Sequence, residues 1–120
     1  DFVIGNEHEW QSLYQTDSLE EALASARGDC PLIVCTRSGA DVVLIRGQER
    51  AEVPVHRVTP VDATGAGDQF AAGFLYGLAT GQSLKTAGRM GCIAAAEVIS
   101  HFGARPEADI KARFRAEGLI

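Results

Sequence analysis

The chain has 120 residues, of which 46% are hydrophobic and 22% charged, enough apolar material for one modest folded domain and too much for a chain whose main state is disorder. Its net charge is −5 and its 11 Lys and Arg are scattered, which excludes a nucleic-acid surface built on clustered cations, although backbone N–H groups can still hold a small anion. The three cysteines form no C-x-x-C pair and no apolar run nears the ~20 residues of a membrane span, so reduced, buried thiols in a cytoplasmic protein without membrane contact are expected.

In chain order, "FVIG" at 2 to 5 reads as a short strand already under way at the start, which suggests that the first part of a larger protein precedes it. A helix over 7 to 15 follows. Ser18 and Glu21 have capping-box spacing and open a second helix whose face carries Leu19, Ala22, Leu23 and Ala26, with Gly28 as its stop. "PLIVCT" (31 to 36) is a continuous apolar run, hence a buried strand, and a buried strand beside helices suggests a parallel sheet. "DVVLIR" and "RAEVPVHRV" flank Gly47-Gln48 and alternate as a hairpin. Beyond Gly67 only helical periods remain, over 68 to 80, 83 to 100 and 107 to 116, broken at Gly81 and at "GARP", with Pro106 in the first turn of the last. Strands and helices in this order make an α/β layered domain.

The stretch "DATGAGDQF" carries the chemistry. Gly65, Ala66 and Gly67 let the backbone approach a ligand closely, and the helix beginning there aims its unpaired N–H groups and positive dipole end into the same turn. Neither G-x-x-x-x-G-K-[ST] nor G-x-G-x-x-G fits, because no Lys follows and position 70 is Phe. Asp68 then has two readings. It can be an ordinary helix N-terminal acid that favours the dipole. Alternatively, it shares one site with an anion because a phosphoryl group is transferred to a hydroxyl whose proton Asp68 accepts.

Asp62-Ala63-Thr64-Gly65-Ala66-Gly67-Asp68-x-Phe70-x-x-Gly73 resembles the D-[TA]-x-G-A-G-D-x-F-x-x-G signature of the ribokinase-type, or phosphofructokinase-B, carbohydrate kinases, a family that includes adenosine kinases. The resemblance implies a ribokinase-like α/β fold, a Rossmann-like layered sheet with flanking helices, of which residues 1 to 120 are the C-terminal part, the N-terminal substrate and lid region being absent. It also implies Asp68 as catalytic base and the N–H groups of Gly65, Ala66, Gly67 and Asp68 as the anion hole.

Further matches extend it along the chain. Asn6-Glu7-His8-Glu9 is similar to the family's N-x-x-E element, whose Glu organises Mg²⁺ through water, while the same spacing is a capping box, and the two roles are compatible. "CTRSGADVVL" resembles the family's nucleotide loop at Thr36 and Gly39, with Asp41 where a second Gly is usual. That mismatch leaves Arg37 and Ser38 open between phosphate contact and a solvated loop. "MGCIAAAEVISHFGARP" resembles the helix and turn walling the adenine pocket, with Cys92, Ala95 and Gly103 as lining residues, although small residues also serve tight helix packing. Asp62 and Thr64 stand where some members hold a monovalent cation. The implied reaction is transfer of the γ-phosphate of ATP, with Mg²⁺ and in some members K⁺, to a primary hydroxyl of a small nucleoside or sugar. Adenosine is favoured, with a ribose- or fructose-type acceptor as the close alternative. A nucleotide-binding remnant without catalysis is the alternative of another class, and a homodimer is compatible with the resemblance. His8, His56 and His101 show no metal-binding spacing and read as surface or half-buried.

Overall fold

The computed structural model describes residues 3–37, 40–55, 65–101, 103 and 109–120. The chain divides into two compact units, Asp1–Pro54 and Val55–Ile120.

The first unit runs β1 (Val3–Asn6), α1 (Glu7–Leu13), α2 (Leu19–Asp29), β2 (Leu32–Arg37), β3 (Ala40–Arg46) and β4 (Glu49–Val53). The four strands form one sheet in sequence order. β1 and β2 are parallel, joined through the two helices. β2–β3 and β3–β4 are antiparallel, so the sheet is mixed where a parallel one was expected. The cause is the connection: only two residues separate β2 from β3, too few for the crossover that a parallel pair requires. β2 and β3 are nonetheless buried on both faces, which is why they read as continuous apolar runs. On one face Ile33, Cys35, Val43 and Ile45 meet Trp10, Ala22, Leu23 and Ala26 in a single core. Trp10 Nε1 donates to the Val34 carbonyl at 3.2 Å, so its buried N–H is satisfied.

Local signals account for most element ends. Ser18 caps α2 by accepting from the Glu21 N–H, but the second half of the expected box is relayed. The Ser18 N–H and the Glu21 carboxylate both bond the Thr16 hydroxyl. Gly28 does not stop α2, which runs on to Asp29. Cys30 ends it in an extended conformation (φ −127°, ψ 132°), the geometry imposed on a residue that precedes proline. α1 ends at Leu13, short of the expected 15, and Gln15 takes a positive φ of 53°. The Tyr14 hydroxyl donates to Asp29 at 2.7 Å and ties the ends of the two helices. Gly47 supplies the positive φ of the β3–β4 turn; β4 ends at Val53, earlier than the expected run to 58.

The second unit contains α3 (Ala66–Ala79), α4 (Leu84–Ile99) and α5 (Ile110–Ala116). α3 and α4 meet through glycine. A Cβ on Gly73 would lie 2.7 Å from the Met90 carbonyl oxygen, one on Gly77 2.8 Å from Ala87 Cα, and one on Gly91 2.9 Å from the Phe70 ring. Contacts that descend α4 as they ascend α3 make the pair antiparallel, with backbones closer than side chains would allow. α5 closes over α4 through Phe114, which joins Met90, Ile93 and Leu119. It starts at Ile110 and not at 107, because Asp109 is the N-cap, accepting from the Ala112 N–H at 3.1 Å. Pro106 lies outside the described residues.

Candidate functional site

Each unit gathers its own set of the residues singled out in the sequence. In the first, β1 passes into α1 without a loop. Asn6 is both the last residue of the strand and the N-cap of the helix. The capping box is complete: the Glu9 N–H donates to Asn6 Oδ1 and the Asn6 N–H to Glu9 Oε1, both at 2.8 Å. Asn6 is the register partner of Thr36 across the parallel pair. Asn6, Glu9 and Thr36 therefore come together at the carboxyl ends of two adjacent parallel strands, where open α/β sheets place their ligands. Glu9 is exposed, and one carboxylate oxygen is committed to the cap while Oε2 faces no protein donor among the described residues. A carboxylate oxygen is a hard donor that suits Mg²⁺ held through water.

Arg37 belongs to β2 and not to a free loop. Its Nε donates to the Asp41 carbonyl at 2.8 Å, and its guanidinium lies 3.8 Å from the Glu52 carboxylate. Ser38 and Gly39 lie outside the described residues, next to an irregularity in the β2–β3 register between Cys35 and Arg37. Cys35 is fully buried, and that burial pushes its thiol up to about 11, so it is no nucleophile.

In the second unit Gly65 is the N-cap of α3, in the left-handed region at φ 80°, and no side chain among the described residues caps the helix. The Gln69 N–H takes the first intrahelical bond, to the Gly65 carbonyl at 2.9 Å, so the N–H groups of Ala66, Gly67 and Asp68 precede the helical ladder. The two glycines do different work. Gly65 supplies a backbone angle that L side chains avoid, whereas Gly67 supplies room: among the described residues nothing lies within 4 Å of where its Cβ would be. Asp68 follows at the third helical position, exposed, and its carboxylate makes no hydrogen bond or ion pair among the described residues. It is therefore not the N-cap. A bare carboxylate beside uncapped N–H groups can accept a proton while those groups hold an anion.

The antiparallel packing puts this turn at the same end of the helix pair as the C-terminal half of α4. Cys92 is buried there, Ala95 is half-buried, and Gly103 takes a φ of 93° just past the helix end. Asp62 and Thr64 lie outside the described residues, as does His56.

Residues 1–111 match the profile of the pfkB family carbohydrate kinases. The chain belongs to that family. A probable sugar kinase from Rhizobium etli is 45% identical, with a TM-score of 0.96 over 100% of this chain and 37% of its own. The adenosine kinase of Sinorhizobium meliloti is 38% identical, with a TM-score of 0.92 over 98% of this chain and 36% of its own. The ribokinase of Lactococcus lactis is 30% identical over 105 residues, 88% of this chain and 34% of that enzyme. This pfkB-family chain thus spans about a third of the length of these relatives and shares their ribokinase-like fold. Within its signature, Phe70 and Gly73 have a packing duty: the Phe70 ring lies against Gly91, and Gly73 admits the α4 backbone.

Sequence reasoning passed over Glu97, the one buried charged residue among those described, 2% exposed on α4. A Glu within "IAAAEVI", four residues before His101, was the available signal. His101 is half-buried, as expected, and pairs with it. Among the described residues no helix is long and apolar enough to cross a membrane.

Proposed function

We propose that the protein containing this chain is an ATP-dependent kinase that transfers the γ-phosphate to a primary hydroxyl of a nucleoside or sugar, and that this chain is the C-terminal part of its ribokinase-like kinase domain. The observation that carries the reading is Asp68, unpaired and beside N–H groups at the start of α3 that no side chain caps, both among the described residues. Asp68 accepts the hydroxyl proton as the oxygen attacks, and the N–H groups of Gly65, Ala66, Gly67 and Asp68 stabilise charge on the phosphoryl group in transit. Cys92, Ala95 and Gly103 form one wall for adenine, and Thr36 and Gly39 lie along the nucleotide. Glu9 holds Mg²⁺ through water, and the ion neutralises phosphate charge. Asp62 and Thr64 are the proposed site for K⁺. The working compartment is the cytoplasm.

Adenosine is the favoured acceptor, supported by the likeness to the S. meliloti adenosine kinase; the greater identity to the R. etli probable sugar kinase favours a ribose- or fructose-type acceptor as the second reading. ADP release by the natural protein with Mg·ATP, compared across adenosine, inosine, ribose and fructose, tests both. Turnover on adenosine that vanishes in Asp68→Asn supports the full reading. Preference for a sugar keeps the mechanism and replaces the acceptor. Nucleotide binding without turnover on any of the four makes the chain part of a binding remnant.

A further inference from the structure

Glu97 is an expensive residue where it stands. A carboxylate taken out of water loses its hydration, and an apolar side chain of similar volume would fill the same space without that cost. The carboxylate holds His101, whose Nε2 lies 2.7 Å from Oε1 and 3.1 Å from Oε2. An ionised carboxylate only accepts, so in the ionised pair Nε2 is the donor. The main chain of the same residue is engaged as well, since the Glu97 carbonyl accepts from the Ser100 N–H at 3.2 Å and from the Ser100 hydroxyl at 2.6 Å. One residue thus ends α4 with its carbonyl and grips the chain beyond the helix with its side chain. His101 is only 13% exposed, and two residues on Gly103 turns with its φ of 93°. α4 ends at Ile99 with the Ser100 N–H on the Glu97 carbonyl, and the Glu97–His101 pair is a side-chain hold on the chain just beyond that end.

We propose that Glu97, acting through His101, is a positioning residue that fixes the turn carrying Gly103 and thereby sets affinity for the nucleotide rather than the rate of phosphoryl transfer. The proposal rests on the kinase reading, in which that turn walls the adenine. It is distinct from the role of Asp68, which touches the reacting atoms.

The test uses the natural protein with three substitutions: His101→Ala, Glu97→Gln and Asp68→Asn. His101→Ala takes a partner from the buried Glu97 carboxylate and lowers stability, so the melting temperature of each variant is measured and kinetics are read well below it. In H101A the KM for ATP rises about tenfold while kcat and the KM for the acceptor stay within about threefold, the split expected when ground-state and transition-state binding of one substrate weaken together. E97Q keeps an oxygen to accept the Nε2 hydrogen and retains most of the ATP affinity. D68N has the opposite signature, with kcat lost and ATP affinity kept. An unchanged KM for ATP in folded H101A overturns the proposal. So does a loss of kcat and of affinity for both substrates together, the mark of a purely structural pair, or an E97Q protein as weak for ATP as H101A. Wild-type protein that binds no ATP overturns the kinase reading itself, and the proposal with it.

Discussion

The two units hold their candidate residues in opposite ways. In the first, Asn6 and Glu9 are bound to each other in a reciprocal cap and Thr36 sits in a strand ladder, so each is also part of what makes the local structure form. In the second, Gly67 and Asp68 have no such engagement among the described residues: nothing there lies near a Gly67 Cβ, and the Asp68 carboxylate has no partner. If both sets serve the proposed reaction, substitutions of the first kind are expected to change stability and activity together, and substitutions of the second kind to change activity without loss of stability.

Asp68→Asn puts this contrast under the greatest strain. It is expected to lower kcat by about 10²–10⁴-fold, the range for loss of a positioned proton acceptor, while the melting temperature stays put. A large loss of stability would mean that Asp68 has a structural duty after all.

Two Gly→Ala changes in the same helix come next, with opposite signs. Gly73→Ala forces a methyl against the Met90 carbonyl oxygen and is expected to cost about 1–3 kcal/mol of stability in a denaturant titration. Gly67→Ala meets nothing among the described residues and is expected to gain about 0.5–1 kcal/mol from helix propensity, yet to lower kcat/KM about tenfold or more as its methyl enters the anion's approach. Equal stability effects at the two positions would erase the distinction between a packing glycine and an approach glycine.

In the first unit Asn6→Ala is expected to cost about 1 kcal/mol through the lost cap and to weaken activity as well. Glu9→Gln keeps a side-chain acceptor for the Asn6 N–H, so stability holds and only Mg²⁺ dependence worsens. If E9Q instead melts like N6A with unchanged Mg²⁺ response, Glu9 is a cap and nothing more.

The smallest effect is on pH. Burial raises the Cys35 thiol from its ordinary 9.0 to about 11, so above pH 9 the unfolded chain loses this proton first and stability falls as pH climbs toward 11, by on the order of 1 kcal/mol. The Tyr14 hydroxyl, raised from 10.0 to about 12 chiefly by its bond to Asp29, extends the fall in the same direction above pH 10. Cys35→Ala should flatten the first part of the slope and Tyr14→Phe the second; unaltered slopes would assign the alkaline loss elsewhere.

What the sequence made legible follows the same division. The Asn6 and Ser18 caps, the Gly47 turn, the Gly81 break and the glycine start of α3 rest on contacts a few residues long, and each lay close to where the spacing put it. The mixed sheet was legible too, but in the two-residue spacing between β2 and β3 rather than in their apolar runs, which look alike in parallel and doubly covered antiparallel strands. The end of α2 hinged on Pro31 rather than Gly28, because proline constrains its predecessor whereas glycine only permits a left-handed stop. Phe70 against Gly91 and His101 against Glu97 depend on helices meeting or on burial within them, which no spacing prints directly.

Trp10 is the only tryptophan in the chain; it immediately follows Glu9, is 2% exposed, and has its indole N–H fixed on Val34. The molecule therefore carries a built-in optical probe. Its emission should be blue-shifted while the first unit is folded and should respond when a ligand pulls on the Asn6–Glu9 pair. Unfolding of the sheet and occupancy of its edge can thus be followed by light, without a label and without an assay for turnover.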